Sequence, residues 1–230
     1  GEILVKRQIS WQDVTHEQCQ QICKQIIKTI APKLQNEILL SSNRYRHLLQ
    51  RIEQLSIDSL MRLVEFAKHS EFSPKALEQD FGANSSMPPL LFTDEDNHKI
   101  EIIGQIDRID FNDNYYLVID YKSGNAFINL LQVYYGLKLQ LLTYLLVAQN
   151  TTLQLYNMEN AIPAGILYCF LKTPVITGTN KLSVQQIKTE IEKKMRMPGW
   201  VLADPEIIKK IDDSSNFIKV RLNKNQDDIS

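Results

Sequence analysis

The sequence predicts an α/β or α+β domain with a central sheet, preceded by a helical region. Three observations support this prediction. Apolar residues recur at helical spacing between positions 15 and 69. Two short runs rich in Ile, Val and Tyr follow, at 99–111 and 115–122, and such runs are typical of strands. Helix and strand patterns then alternate, and that succession favours a sheet flanked by helices.

Composition narrows the class of protein. The chain has 230 residues, 43% of them hydrophobic, with eight Gly and eight Pro, which excludes a collagen-like or disordered chain. No apolar run approaches the roughly 20 residues of a membrane span, and no secretory segment opens the chain. Its 26 Lys+Arg against 27 Asp+Glu argue against a protein that binds nucleic acid by bulk charge. A local basic channel remains compatible with that balance.

The helical region has three predicted segments. The first ends where Ala31 and Pro32 interrupt the apolar repeat. The second covers 38–55, and the third begins after Ser56, a predicted N-cap. We place the boundary of this region after residue 71 and predict that 1–71 and 72–230 form one structural domain, a fragment of a larger protein.

The second part contains a hairpin and three further elements. Residues 130–149 are apolar almost throughout and predict one buried helix. A strand is predicted over 164–172, and an amphipathic helix over 184–195. The Lys-rich stretch 188–196 could touch a phosphate backbone, but it is also typical of the solvated face of such a helix.

The hairpin brings charged residues together. If its turn centres on Asp113 and Asn114, continuing the register outward sets Asp107 opposite Asp120. Directly opposed residues point to the same face, and period-2 alternation adds Lys122 to that face. Arg108 then points to the opposite face, in a structural role.

This arrangement predicts metal-dependent chemistry. Two carboxylates on one face repel each other, and a divalent cation resolves the repulsion. Oxygen ligands favour Mg²⁺ or Mn²⁺ over zinc. Lys122 could help deprotonate a metal-held water or stabilise charge in the transition state. The alternative is that Lys122 merely neutralises Asp120 as a surface ion pair.

The order of motifs resembles a known family. GQIDRID (104–110), IDYKSG (119–124) and GLKLQLLTYL (136–145) follow one another, and EQDFG (78–82), AGILY (164–168) and MPGWVLADP (197–205) agree with them. Together they resemble the RecB-like branch of the PD-(D/E)xK nuclease superfamily, and more narrowly the C-terminal nuclease domain of AddB/RexB subunits. The resemblance implies a restriction-endonuclease-like core: a central mixed sheet flanked by helices.

The resemblance also implies roles for hairpin residues. Asp107 and Asp120 match the metal-binding carboxylates of the family, and Lys122 matches its catalytic lysine. The backbone carbonyl of Tyr121 matches a further metal-ligand position.

Three other residues match positions that support the substrate. Gln140 and Tyr144 match the family's QxxxY motif, and their spacing of four places both on one helical face. Glu78 matches an accessory acidic position, although Asp80 lies beside it.

The sequence departs from the family in two respects. None of its four histidines sits in the family's metal-assisting motif, and we expect that residue to precede Gly1. AddB proteins carry a cysteine-bound iron–sulfur cluster and RexB proteins lack it. Cys19, Cys23 and Cys169 match none of the cluster's ligand positions, so such a cluster would need residues of the full-length protein.

The resemblance therefore implies a Mg²⁺-dependent DNA exonuclease within the AddB/RexB-like subunit of an ATP-dependent helicase–nuclease, acting in double-strand break repair. It further implies that the partners are DNA and an AddA/RexA-like helicase–nuclease subunit, and that the location is the bacterial cytoplasm with no membrane contact. Two alternatives stay open. One is a catalytically idle scaffold that binds DNA or a partner, and the other is a stand-alone RecB-like exonuclease.

Overall fold

The structure is a computed structural model that describes residue 4 and residues 9–34, 42–156, 160–177, 182–220 and 222–223, without the side chains of 152–156. The chain divides into two compact units, Gly1–Lys68 and His69–Ser230. This division lies close to the boundary predicted after residue 71. That the two parts form one structural domain stays a prediction.

The first unit is helical. Helix α1 spans His16–Ile30 and helix α2 spans Asn43–Lys68. Thr15 begins α1 with a capping box, in which its hydroxyl accepts from the Gln18 N–H and the Gln18 side chain accepts from the Thr15 N–H. The core of this unit comprises Leu4, Val14, Cys19, Ile22 and Val64.

Helix α2 corrects one prediction. Ser56 does not begin a third helix, because α2 runs through it without interruption. The Ser56 hydroxyl donates to the Ile52 carbonyl at 2.8 Å, four residues earlier, so the side chain bonds within the helix instead of capping it.

The second unit contains a five-stranded mixed sheet, which confirms the predicted central sheet. The strand order is β1-β4-β5-β6-β7, and β5 and β6 are the parallel pair. Strands β2 and β3 pair in a separate antiparallel ribbon. The strands are β1 (Ser73–Phe81), β2 (Leu90–Thr93), β3 (Lys99–Ile102), β4 (Gly104–Asn112), β5 (Tyr115–Lys122), β6 (Ile162–Phe170) and β7 (Gly199–Val201).

In the described part of the second unit, four α-helices accompany these strands. They are α3 (Leu130–Tyr134), α4 (Gln140–Tyr156), α5 (Val184–Met195) and α6 (Pro205–Ile211). Helices α3 and α4 lie in the crossover that a parallel β5–β6 pair requires. Within the described ranges, no helix combines the length and apolar composition needed to cross a membrane.

The single buried helix predicted over 130–149 is wrong. Gly136 adopts a left-handed conformation, with φ of 72°, and ends α3. Its N–H donates to the Val133 carbonyl while the Leu137 N–H donates to the Gln132 carbonyl, which is a Schellman motif. Leu137 is 72% exposed, so this part of the segment is not buried.

The start of α4 matters for the site. Leu141, Val147 and Ala148 of α4 belong to the same buried cluster as Val118 and Tyr168 on the sheet. This helix therefore covers one face of the sheet, and its first turn lies where β5 ends.

Candidate active site

The β4–β5 hairpin positions the two predicted metal-binding carboxylates. Its register runs from Asn112↔Tyr115 to Arg108↔Ile119, which confirms the predicted turn. The next position outward sets Asp107 against Asp120. At this position the Asp107 carboxylate accepts a hydrogen bond from the Tyr121 N–H at 2.7 Å. The Asp107 side chain therefore acts as the acceptor that a main-chain carbonyl would otherwise provide.

Asp120 is the more deeply buried carboxylate. It is 1% exposed, and its Oδ2 lies 2.6 Å from Lys122 Nζ. Burial raises the pKa of Asp120, the Lys122 ammonium lowers it, and the Asp107 carboxylate raises it further. The net shift is upward, so the metal-free site disfavours a full charge on Asp120.

Lys122 is held in place by several neighbours. Its Nζ forms an ion pair with Asp120, donates to Gln140 Oε1 at 2.8 Å and lies 5.5 Å from the centroid of the Tyr168 ring. The Gln140 Nε2 in turn donates to Tyr144 Oη at 2.9 Å. A continuous polar chain therefore joins Asp120, on the sheet, to Tyr144, on α4.

Tyr144 ties this chain to the core. Its ring packs edge-on against Phe81, with centroids 6.1 Å apart. Burial raises the pKa of the Tyr144 hydroxyl, and the hydrogen bond from Gln140 lowers it in part. The hydroxyl stays protonated at neutral pH, so it serves as a neutral acceptor for Gln140.

Glu78 approaches the same site from the edge strand. It lies opposite Asp107, between the pairs Leu77↔Arg108 and Gln79↔Ile106. Its φ is 51°, an uncommon value for a side chain of this kind. Partial burial and the carboxylates of Asp107 and Asp80 raise the pKa of Glu78.

Asp80, the neighbouring acid, has another partner. Its carboxylate accepts from Gln105 Nε2 at 2.9 Å. The structure thus places Glu78 beside Asp107 and binds Asp80 to Gln105.

Tyr121 presents its side chain to the other face of the sheet. Burial raises the pKa of its hydroxyl to about 12, and the Arg108 guanidinium opposes that shift. Arg108 is fully buried and forms two contacts of 2.6 Å with Asp110, which confirms its predicted structural role. The proposed metal-ligand role of the Tyr121 carbonyl stays a prediction.

Tyr168 is a site residue that the sequence did not suggest. It lies on β6 in register with Asp120, and burial and the Asp120 carboxylate raise its pKa. The apolar strand pattern of AGILYCF was visible, but the register of a parallel strand depends on its crossover. Only the structure places this ring beside Lys122.

One other acidic group lies away from this site. Asp94, Asp96 and His98 on the β2–β3 ribbon are exposed, with ligand atoms within 4.8 Å of one another. Asp94 already accepts hydrogen bonds from the backbone of Asp96 and from both the backbone and the ring of His98. These bonds explain the cluster as a turn.

The cysteines do not form a metal centre in the described residues. Cys19 and Cys23 are buried in the first unit and Cys169 is buried on β6. Burial raises the pKa of both the Cys19 and Cys23 thiols, which disfavours the thiolate that a metal would need. Among the described residues, these cysteines offer no ligand set for an iron–sulfur cluster.

Residues 4–222 match the family model of the PD-(D/E)XK nuclease superfamily, and the chain belongs to that superfamily.

Its relatives point to one kind of protein, the B-type subunit of an ATP-dependent helicase/deoxyribonuclease. The chain is 37% identical over 232 residues to this protein from Clostridium novyi (strain NT), covering 97% of this chain and 20% of that protein. It is 38% identical over 229 residues to the protein of the same name from Alkaliphilus oremlandii (strain OhILAs), covering 96% and 20%. The chain thus spans 20% of the length of these curated relatives. Both findings confirm the resemblance inferred from the motifs.

Proposed function

We propose that this chain is the nuclease part of an AddB/RexB-like helicase–nuclease subunit and hydrolyses phosphodiester bonds of DNA with the aid of a divalent metal. The observation that carries the proposal is the convergence of Asp107, Asp120 and Lys122 at the end of β5. Family membership supports nuclease chemistry at this place, and the names of the relatives support DNA as the substrate.

The residues fit a divalent cation. Asp120 Oδ2 is buried and has no well-aligned hydrogen-bond donor within the described part of the chain. Its neighbours are the Lys122 ammonium and a second carboxylate, an arrangement that an added positive charge would stabilise. Asp107, Asp120 and the Tyr121 carbonyl would hold Mg²⁺ or Mn²⁺. When bound, the cation polarises a phosphoryl oxygen and acidifies a water molecule.

Lys122 is the positively charged side chain that the protein contributes to the proposed site. An ammonium has three N–H donors; one is bound to Gln140, and another faces Asp120. A donor therefore remains for a phosphate oxygen, where it can stabilise the charge that develops on cleavage. Gln140 and Tyr144 position this ammonium and support the substrate beside it.

The remaining parts of the proposal concern the whole protein. We assign it a helicase-type partner, a role in double-strand break repair, and a location in the bacterial cytoplasm. The name shared by the relatives supports the first of these.

The test compares two aspartate variants in the full-length protein with its partner. Asp120→Asn should reduce cleavage of one of the two DNA strands by about 100-fold or more while leaving unwinding intact, because it removes a charge that the chemistry needs. Asp96→Asn is the matched control, since it removes one carboxylate from the exposed acidic group on the ribbon. Equal cleavage by both variants would refute the proposal.

A second measurement separates a working site from an idle scaffold. Calorimetric titration should show Mg²⁺ or Mn²⁺ binding that is lost in Asp107→Asn and kept in Asp96→Asn. Binding that ignores Asp107 would contradict the metal assignment.

A further inference from the structure

We propose that a lysine-lined groove beside the active site binds the phosphate backbone of a single DNA strand on one side of the bond to be cut. The inference rests on the proposed nuclease function and adds to it the path of the substrate. It concerns Lys172, Lys194 and Lys219, which lie outside the family motifs described above.

The groove begins at the catalytic lysine. It is a cavity of about 710 Å³, lined by Lys122 and the loop after β5, the end of β6 with the residues that follow it, the end of α5, and Lys219. Because β5 and β6 are parallel, their carboxyl ends open on the same edge of the sheet. A strand held at Lys122 can continue directly into this space.

The charged side chains that line the groove are all positive in the described part of the chain. Four lysines and no acidic residue line the groove in the described part of the chain. Lys172, Lys194 and Lys219 are exposed, and no carboxylate of the described residues lies within ion-pair distance of their ammonium groups. The adjacent Lys193 differs, since it pairs with Glu190 at 2.9 Å. A cleft with positive charges alone concentrates field lines and attracts a polyanion.

The groove also carries apolar surface suited to bases. Phe127 is 51% exposed and Val175 is 78% exposed, and both line it. The Lys138 ammonium lies 4.4 Å from the centroid of the Phe127 ring and adds positive charge there. Exposed rings beside lysines are typical of sites for single strands, whose bases are free to stack, whereas a duplex keeps its bases paired inside.

The experiment removes the three lysines that are not in the catalytic group. Lys172, Lys194 and Lys219 are replaced together by Gln in the full-length protein with its partner. The control variant carries Lys75→Gln, Lys99→Gln and Lys188→Gln, which removes the same charge from exposed positions outside the groove. Binding of a fluorescent oligothymidylate is measured against salt in EDTA, so that no cleavage occurs.

The expected result is a change in salt dependence. Each phosphate contact on a single strand contributes about −0.7 to the slope of log K against log salt, so the groove variant should lose about 2 from the slope and the control variant almost nothing. With metal present, the groove variant should show a raised KM for the oligonucleotide, and unchanged turnover of bis-p-nitrophenyl phosphate, which is too small to reach the groove.

Two outcomes separate a failure of the groove proposal from a failure of the proposed nuclease function. Equal slopes for the groove and control variants, with Asp120-dependent cleavage intact, would overturn the groove alone. If Asp120→Asn cleaves both DNA strands as well as the unmodified protein does, the proposed function is overturned. The salt slopes would still decide whether the groove binds a single strand.

Discussion

The buried pair Arg108–Asp110 gives a sharp stability prediction. The guanidinium contacts both carboxylate oxygens at 2.6 Å, and both side chains are fully buried on the face opposite the active site. Asp110→Asn leaves the guanidinium buried without its counter-charge. Breaking a buried pair in this way costs about 3–5 kcal/mol, a large share of the roughly 5–15 kcal/mol that stabilises a typical domain.

The same pair contributes much less than this if both partners are replaced. A buried ion pair often stabilises a protein no more than well-packed apolar residues of similar size do. Arg108→Met combined with Asp110→Leu should therefore lie within about 1 kcal/mol of the unmodified protein. Tyr121→Phe is added to that variant because the Tyr121 hydroxyl also interacts with Arg108.

Amide hydrogen exchange is the appropriate assay, because it reports opening segment by segment. In Asp110→Asn, protection of peptides from β4 and β5 should fall by about 140- to 3,700-fold, which is about 3–5 kcal/mol at tenfold per 1.4 kcal/mol. The combined apolar variant should keep its protection and its nuclease activity. The reasoning is wrong if Asp110→Asn costs under about 1 kcal/mol, or if the apolar variant is as weak as the single one.

Three further predictions concern the site and the sheet. In metal-free protein, the contribution of Asp120 to stability should fall as pH rises above about 3.8, the ordinary pKa of this carboxyl. The reason is that the pKa of Asp120 is raised in the folded state, so the folded protein binds this proton more tightly than the unfolded chain does. Asp120→Asn should flatten that part of the curve of melting temperature against pH, and an unchanged curve would contradict the assigned shift. Mg²⁺ at about 100 times its Kd should stabilise the protein by about 2.7 kcal/mol, and this gain should vanish in Asp107→Asn; scanning calorimetry with and without EDTA decides the matter. Gly199→Ala should destabilise the pairing of β7 with β6 by about 1–3 kcal/mol, since an added Cβ would lie 2.0 Å from the Ile166 carbonyl oxygen. Faster hydrogen exchange of the β6 amides would measure this loss.

The hairpin was the part of the site that the sequence could define. A two-residue turn fixes the register of the strands it joins, so one assumption about Asp113 and Asn114 was enough to place Asp107 opposite Asp120. Helical spacing likewise placed Gln140 and Tyr144 on one face, and the structure shows them hydrogen-bonded.

Other parts of the site depend on contacts between distant segments. Glu78 reaches Asp107 through an irregular edge strand, which no local pattern announces. Tyr168 depends on a parallel register that the crossover sets. The groove joins Lys172 to Lys219, and neither residue stands out in the sequence from an ordinary solvated lysine.

The apolar segment 130–149 differs from the single helix that its composition predicts, and the reason is local. Its composition suits a buried helix, but Gly136 permits a left-handed residue that ends α3. Without that break, Gln140 would not begin a new helix at the end of β5.

The hydrogen bond between the Asp107 carboxylate and the Tyr121 N–H has an evolutionary consequence. The fold itself needs an acceptor at position 107, so a lineage that lost catalysis would still be expected to retain Asp or Asn there. The fold makes no comparable demand at Asp120, because burial raises the pKa of this carboxyl and its charged form lowers the stability of the metal-free protein. If the proposed metal site is correct, descendants that lose catalysis are therefore expected to lose Asp120 and Lys122 before they lose the acceptor at position 107.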